Sequence, residues 1–300
     1  MHTAKTLWSA ATVWFNRQFT KSRWADGKEP LSFEEFCVAL DGQPLYPRQR
    51  MIFQNAGIMT ASDLLDPNRR TKEIVCLHGK ASGKTRLSAK FIAWTAYVML
   101  SLRVTPAKYM GLAPNAEYSL LAICPSREQA KRVYFDGYLK KFFLSPLFSK
   151  WMSDPTTQFT DSTVYFPSKR LLVRVAASTE NLEGYNAGFW TLDEFDLFPD
   201  SGRWSGPENI RRNLWSSACS RAAIIPPLGL NVTTPSGADS YAMKLYEDGK
   251  GQRLQGDFTF YCDKAATWKV RPTIPNMSQV EDDYTADPVR AKMCYECKAD

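Results

Sequence analysis

The chain has 300 residues, a formal net charge of +7, 44% hydrophobic residues and 23% charged ones. That length gives one large domain or two modest ones with an ample core, and the composition is that of an ordinary globular protein. The basic excess permits a nucleic-acid or anionic-surface partner without requiring one. The longest apolar stretch, Phe91 to Leu102, is too short to span a bilayer, and Trp8, Asn16, Arg17 and Gln18 interrupt any signal-peptide core. Seven scattered cysteines read as reduced, mostly buried thiols of a cytosolic protein. Cys294 and Cys297 have the C-x-x-C spacing, but no second pair or nearby histidine completes a zinc site. They read as two thiols on one helix face.

Residues 1–44 read as a helical appendage in which Leu7, Trp8, Ala11, Phe15 and Phe19 form one stripe, accompanied by Lys5, Arg17, Lys21 and Arg23. A second helix there starts at Ser32, has Glu35 in the capping-box position and carries Phe36 and Leu40. Its basic residues suit a solvated face, or a contact to DNA or a neighbouring subunit. The larger unit, 45–300, opens on a Pro-started helix, Leu45 to Phe53. There the Gln49 amide can accept from and donate to an adenine edge at once, or be an ordinary polar helix residue. Asp66 to Arg70 turns into a buried strand, Ile74-Val75-Cys76-Leu77.

Next comes Gly79-Lys80-Ala81-Ser82-Gly83-Lys84-Thr85, followed by Leu87, Phe91, Trp94 and Val98 on one helix face. Strand, glycine-bearing loop and helix start are the context a phosphate-binding loop requires. Loop N–H groups and the helix N-terminus would surround phosphate oxygens, Lys84 would reach the β- and γ-phosphates, and Thr85 would be a magnesium ligand. The usual spacing places its first glycine where this chain has His78, with Gly79 one position later.

Val104 to Glu117 reads as a loop, and Tyr118 to Cys124 as a second buried strand. A helix capped by Ser126, with Gln129 at its third position, runs to about Leu144. Residues 159–166 and 170–177 suggest a hairpin around Pro167-Ser168-Lys169-Arg170. The stretch Phe189-Trp190-Thr191-Leu192-Asp193-Glu194 is an apolar run ending in adjacent carboxylates. Asp193 can hold a magnesium shell, and Glu194 can orient and deprotonate an attacking water. Asp196 and Asp200 read as solvated loop residues. Gly206 to Ser220 reads as a basic helix with Ile210, Leu214 and Trp215 inward and Arg211 and Arg212 outward. A further strand, Leu228 to Val232, ends in Thr233-Thr234-Pro235, whose hydroxyls would face the same site or merely cap a helix. Phe258 to Cys262 reads as a strand, Arg271 to Met277 as extended, and Asp287 to Ala299 as helical.

These pieces, in this order, resemble the ATPase domain of tailed-phage large terminases, the motors that package DNA into a procapsid. Residues 79–85 look like that family's deviant Walker A, Tyr46-Pro47-Arg48-Gln49 like its adenine-contacting element, and Pro125 to Ala130 like the segment after its second core strand. Thr191-Leu192-Asp193-Glu194 looks like Walker B with the catalytic glutamate, and Val232-Thr233-Thr234-Pro235 like the coupling motif. The resemblance covers roughly residues 45–297. It implies an α/β P-loop NTPase fold of the ASCE type, with a mostly parallel sheet flanked by helices and an N-terminal helical appendage. It also implies ATP and Mg2+ as cofactors, and double-stranded DNA, a portal protein and a small terminase subunit as partners. The working form would be a homo-oligomeric ring docked at the portal vertex in the host cytoplasm, without a membrane. Nuclease activity is not expected of this chain, because the family's clustered aspartates do not appear before Asp300.

Two departures concern arginines. The basic Walker A position holds Lys80, which lacks the planar fork of an arginine. Glu183 stands before Gly184 where relatives often carry an arginine, so the finger donated to a neighbour falls among Arg203, Arg211, Arg212 and Arg221, with Arg211 and Arg212 ranked first. Two other classes share the same loop and carboxylates: a helicase-like or remodelling ATPase, and a nucleotide-gated DNA-binding module without turnover.

Overall fold

The computed structural model describes residues 23–69, 71–200, 206–216, 223–273 and 277–298. An eight-stranded sheet, ordered β3-β4-β5-β2-β6-β7-β1-β8, forms its centre. Its strands are β1 (Glu73–His78), β2 (Tyr118–Cys124), β3 (Gln158–Phe159), β4 (Thr163–Phe166), β5 (Leu171–Ala177), β6 (Ala187–Asp193), β7 (Leu228–Thr233) and β8 (Phe260–Ala265). From β5 across to β8 every pairing is parallel. The β3 and β4 strands add an antiparallel edge, and β4–β5 is the expected hairpin. Every residue of β1, β2, β6 and β7 is buried, as a parallel sheet covered on both faces requires. Because β7 lies between β1 and β6, the ends of these three strands meet at one carboxyl edge, where open α/β sheets bind ligands.

Strand alternation sorts the apolar residues between two cores. Ile74 and Cys76 of β1 face one side with Phe33, Phe53, Phe91 and Trp94. Those aromatics come from α1 (Phe33–Asp41), α2 (Pro47–Ala56) and α3 (Lys84–Ser101). Val75 and Leu77 face the other side, with Ile210 and Leu214 of α4 (Pro207–Ser216) and Ala242 and Leu245 of α5 (Tyr241–Leu254). The α1 capping box forms as the sequence predicts, with Ser32 and Glu35 bonded reciprocally. Its Phe33 meets the Phe53 ring edge-on at 4.6 Å, so this part of the appendage shares the main core. The apolar stripe Leu7 to Phe19, with Lys5, Arg17 and Lys21, lies outside the described residues.

Several elements differ from expectation. The 104–117 loop contains a short helix, Pro106–Tyr109. The helix after Ser126 is capped as predicted, Gln129 N–H donating to Ser126 Oγ at 3.2 Å, but residues Gln129–Leu139 are π-helical before Lys140–Phe143 resumes the α form. The last strand begins two residues later than Phe258 and continues to Ala265. Beyond it stand α6 (Thr267–Val270) and α7 (Met277–Ala286), which the sequence reading did not foresee, and α8 (Pro288–Ala291) within the stretch expected to be helical. Residues 271–273 of the expected extended segment are non-helical, and residues 274–276 lie outside the described residues. Cys297 follows the last helical turn in left-handed conformation (φ 53°) and bonds the Ala265 carbonyl, so the two thiols do not share a helix face. Arg69, in the turn before β1, is buried and donates to the carbonyls of Leu64, Thr71, Pro226 and Pro227, which ties that turn to the start of β7.

Candidate active site

The loop after β1 is held from behind by the C-terminal segment. Gly79 N–H donates to Ala265 O at 3.2 Å, and Lys80 N–H donates to Cys294 O at 2.7 Å. The Thr267 hydroxyl, at the first position of α6, donates to Lys80 O at 2.8 Å. A Cβ on Gly79 would lie 2.3 Å from both Thr267 Oγ1 and Tyr295 O, so only glycine fits this approach. Gly83 takes φ +85° and turns the chain into α3, and Ala81 also takes a left-handed φ of 64°. Ser82 is fully buried, and its hydroxyl has no partner among the described residues.

His78 replaces a Walker A glycine because its side chain turns away under the loop. Its Nε2 lies 2.8 Å from Asp263 Oδ2, and Arg48 grips the same carboxylate through Nε (2.8 Å) and one terminal nitrogen (2.7 Å). Burial lowers the His78 pKa, which the neighbouring Asp263 only partly offsets, so the imidazole is neutral at ordinary pH. This network joins α2, the end of β1 and β8 directly beneath the phosphate loop.

On the ligand side, Lys84 is buried and its Nζ lies 3.2 Å from Gly79 O, 2.8 Å from Thr234 Oγ1 and 3.3 Å from Glu194 Oε1. The Thr85 hydroxyl donates to Asp193 Oδ2 at 3.0 Å. Asp193 Oδ1 is buried with no hydrogen-bond partner. Burial, reinforced by the charge of Glu194, pushes the Asp193 carboxyl up to about 7 against the opposing pull of Thr85 and Lys84. An unsatisfied buried carboxylate oxygen beside a threonine hydroxyl fits Mg2+, which takes one or two carboxylates and completes its shell with water and phosphate.

Glu194 adopts φ 51° and ψ 44°, a conformation costing a non-glycine residue about 1–2 kcal/mol. The turn is fixed by Glu194 N–H donating to Val232 O at 2.8 Å. It brings Oε2 within 3.1 Å of the Thr234 N–H and 3.3 Å of the Thr233 hydroxyl. Thr234 Oγ1 in turn donates to His78 O at 3.1 Å. Glutamate, lysine and both threonines therefore form one connected set spanning the ends of β1, β6 and β7.

A cavity of about 480 Å³ opens beside Gly83, lined among others by Tyr46, Gln49, Arg86 and Arg271. Gln49 caps its own helix, its Oε1 accepting from Tyr46 N–H at 3.2 Å, so one acceptor position is spent and the NH2 remains for a ligand. Arg271 reaches the loop at Ala81 O, 3.4 Å away. Nothing in the sequence marks Arg271 except that it follows the last strand by six residues.

Other assignments move. Lys80 is 63% exposed, its amino group 3.8 Å from Asp283 and 5.9 Å from the Tyr295 ring centre, so the C-terminal helices engage it. Arg211 is not outward. It grips Glu73 through Nε and a terminal nitrogen, both at 2.7 Å, at the amino end of β1, opposite the phosphate loop. Arg212 is 68% exposed and pairs with Glu208 at 2.7 Å. Arg203 and Arg221 lie outside the described residues. Asp196 is no solvated loop residue: its carboxylate accepts from Ser236 N–H and hydroxyl (2.7 and 2.6 Å) and from Ala242 N–H (2.8 Å). It thereby fixes the loop between β7 and α5.

Fold and site together define a P-loop domain with a carboxylate pair on the second strand from the loop strand. The chain belongs to the family described as "Uncharacterized protein MJ0330, N-terminal P-loop domain", whose model matches residues 6–297. No curated protein matches its sequence. Among solved structures it is similar to the large terminase of bacteriophage HK97, with TM-score 0.60 and 15% identity over 88% of this chain and 52% of that one. It is also similar to the large terminase ATPase domain of Thermus phage P74-26, with TM-score 0.50 and 17% identity over 84% of this chain and 98% of that one. At these identities the likeness is one of fold. The chain spans about half the length of the HK97 protein.

Proposed function

We propose that this chain is a Mg2+-dependent ATPase that drives double-stranded DNA, acting as the motor of viral genome packaging. The observation that carries the ATPase reading is the joining of Lys84, Thr85, Asp193, Glu194, Thr233 and Thr234 at one sheet edge. Thr85 and Asp193 would hold Mg2+, which neutralises charge on the β- and γ-phosphates. Lys84 and the loop N–H groups bind those phosphates, and binding draws Lys84 off Glu194. Glu194, still tethered through Oε2 to β7, then has Oε1 free to orient water and take its proton. Thr233 and Thr234 thus link the state of the nucleotide to β7. Gln49 donates to the adenine. The DNA-packaging reading is supported by the fold shared with phage terminases and by the basic net charge.

A ring in which a neighbour's arginine completes each site agrees with that set at the sheet edge, whose one cation among the described residues is Lys84. Arg211 is spent on Glu73, which leaves Arg212, Arg203 and Arg221. Portal and small terminase subunits would be its packaging partners. The test is steady-state ATP hydrolysis against protein concentration, with and without duplex DNA, beside Glu194→Gln. Turnover that rises faster than linearly, is stimulated by DNA and disappears in the variant supports the motor. Nucleotide bound without turnover at any concentration favours a gated DNA-binding module, and duplex unwinding favours a helicase.

A further inference from the structure

Of the four cations lining the cavity beside Gly83, Arg271 and Lys141 have no ion pair among the described residues, and Arg271 is the one that also reaches the phosphate loop. Arg86 and Lys90 are both committed to Asp41, at 2.6 and 2.9 Å. No ion pair among the described residues engages Arg271, and its Nε is buried without a hydrogen-bond partner. Its single contact to the loop, 3.4 Å to Ala81 O, is at the long limit of a hydrogen bond. A half-exposed guanidinium with one buried, unpartnered nitrogen and no ion pair among the described residues, beside a cavity of about 480 Å³, a size ordinary for ligand sites, has donors to spare for a ligand.

The placement is rigid. Arg271 N–H donates to Thr267 O at 2.8 Å, and Thr267 is the residue whose hydroxyl is bonded to Lys80 O and Tyr295 O. One short helix therefore fixes the arginine relative to the phosphate loop. The cavity lies on the Gln49 side: a Cβ on Gly83 would sit 3.8 Å from both Gln49 Nε2 and a Tyr46 ring carbon. Lys84, Asp193 and Glu194 do not line it.

We propose that Arg271 clamps the purine and ribose end of the nucleotide within its own subunit, its planar guanidinium covering the base while Gln49 meets the base edge. This rests on the ATPase reading above and names a contact that the motifs do not. A planar cation covering a π-system contributes to binding of the ground state, equally for ATP and ADP, and takes no part in sensing the γ-phosphate.

The test is calorimetric titration of wild type, Arg271→Ala and Arg271→Lys with Mg·ATP, Mg·ADP and inorganic tripolyphosphate, with thermal melting to establish that each variant is folded. Both variants should bind ATP and ADP about tenfold more weakly, by the same factor, with tripolyphosphate affinity unaltered. Lysine does not rescue, because it keeps the charge but lacks the plane. Full rescue by lysine, or a loss that extends to tripolyphosphate or is confined to ATP, would make Arg271 a phosphate contact and overturn the proposal. Wild-type affinity in Arg271→Ala overturns the clamp alone. A folded wild-type chain that binds neither nucleotide overturns the ATPase reading and the clamp with it.

Discussion

Arg211→Ala separates a structural arginine from a catalytic one. Glu73 is 2% exposed and accepts from both Arg211 nitrogens, from Trp215 Nε1 at 3.2 Å and from the Asn231 amide. Removing Arg211 leaves a carboxylate charge inside the sheet edge with two neutral donors. Breaking a buried pair from one side costs about 3–5 kcal/mol, a fifth or more of the roughly 5–15 kcal/mol that holds a typical domain together. Urea unfolding followed by tryptophan fluorescence should show a midpoint lowered by more than about 1 M. The paired change Glu73→Gln with Arg211→Met should recover most of the loss, because no charge is then stranded. A midpoint shifted by less than about 0.3 M, with hydrolysis lost only where subunits meet, would refute the structural reading and restore Arg211 as a finger.

Asp193 gives a pH signature in the metal-free protein. Its carboxyl is raised from 3.8 to about 7, so between those values the folded state binds the proton more tightly than the unfolded one. Stability therefore falls as pH rises through that window, by up to about 4 kcal/mol above pH 7. In EDTA, Asp193→Asn should flatten that slope and melt higher than wild type at pH 8; an unchanged slope contradicts the assignment. Gly79→Ala, whose new Cβ meets Thr267 Oγ1 and Tyr295 O at 2.3 Å, should cost about 1–3 kcal/mol and abolish nucleotide binding, read by melting and titration. His78→Gly restores the usual loop glycine yet should destabilise, because Asp263 loses a partner at 2.8 Å; a neutral or stabilising result contradicts the network.

The legible parts of the chain were those with local signatures. Buried parallel strands appear as apolar runs, so Ile74–Leu77, Tyr118–Cys124 and Phe189–Asp193 were found nearly to the residue. Ser32 and Ser126 announced their helices through side chains that bond their own backbone. The errors fell where distant partners decide. Arg211 reads as outward on a basic helix, and it turns inward because Glu73 and Asn231 arrive from strands far away in sequence. Asp196 reads as loop polarity until Ser236 and Ala242 are placed against it. The end of β8 was misjudged because Asp263 and Lys264 interrupt the apolar run, and Asp263 is there to meet Arg48 and His78.

The loop's unusual sequence is explained by what stands behind it. In a regular Walker A the first glycine frees space at the strand end, whereas here a histidine is accepted because Asp263 and Arg48 receive it. The glycine displaced to position 79 is then required for another reason, the close approach of α6 and Tyr295. The phosphate loop is thus held between two supports. One is the buried His78–Asp263–Arg48 network, whose helix also presents Gln49. The other is the Thr267–Tyr295–Cys294 backing, whose helix also presents Arg271. Each support fixes the loop and delivers one side chain to the cavity beside Gly83. Nucleotide seated there would be gripped by elements already rigid with the loop, leaving the Lys84–Glu194 pair as the part free to rearrange. The strain in the Glu194 backbone falls at that pair, where the proposed mechanism would have a charge held ready and then released.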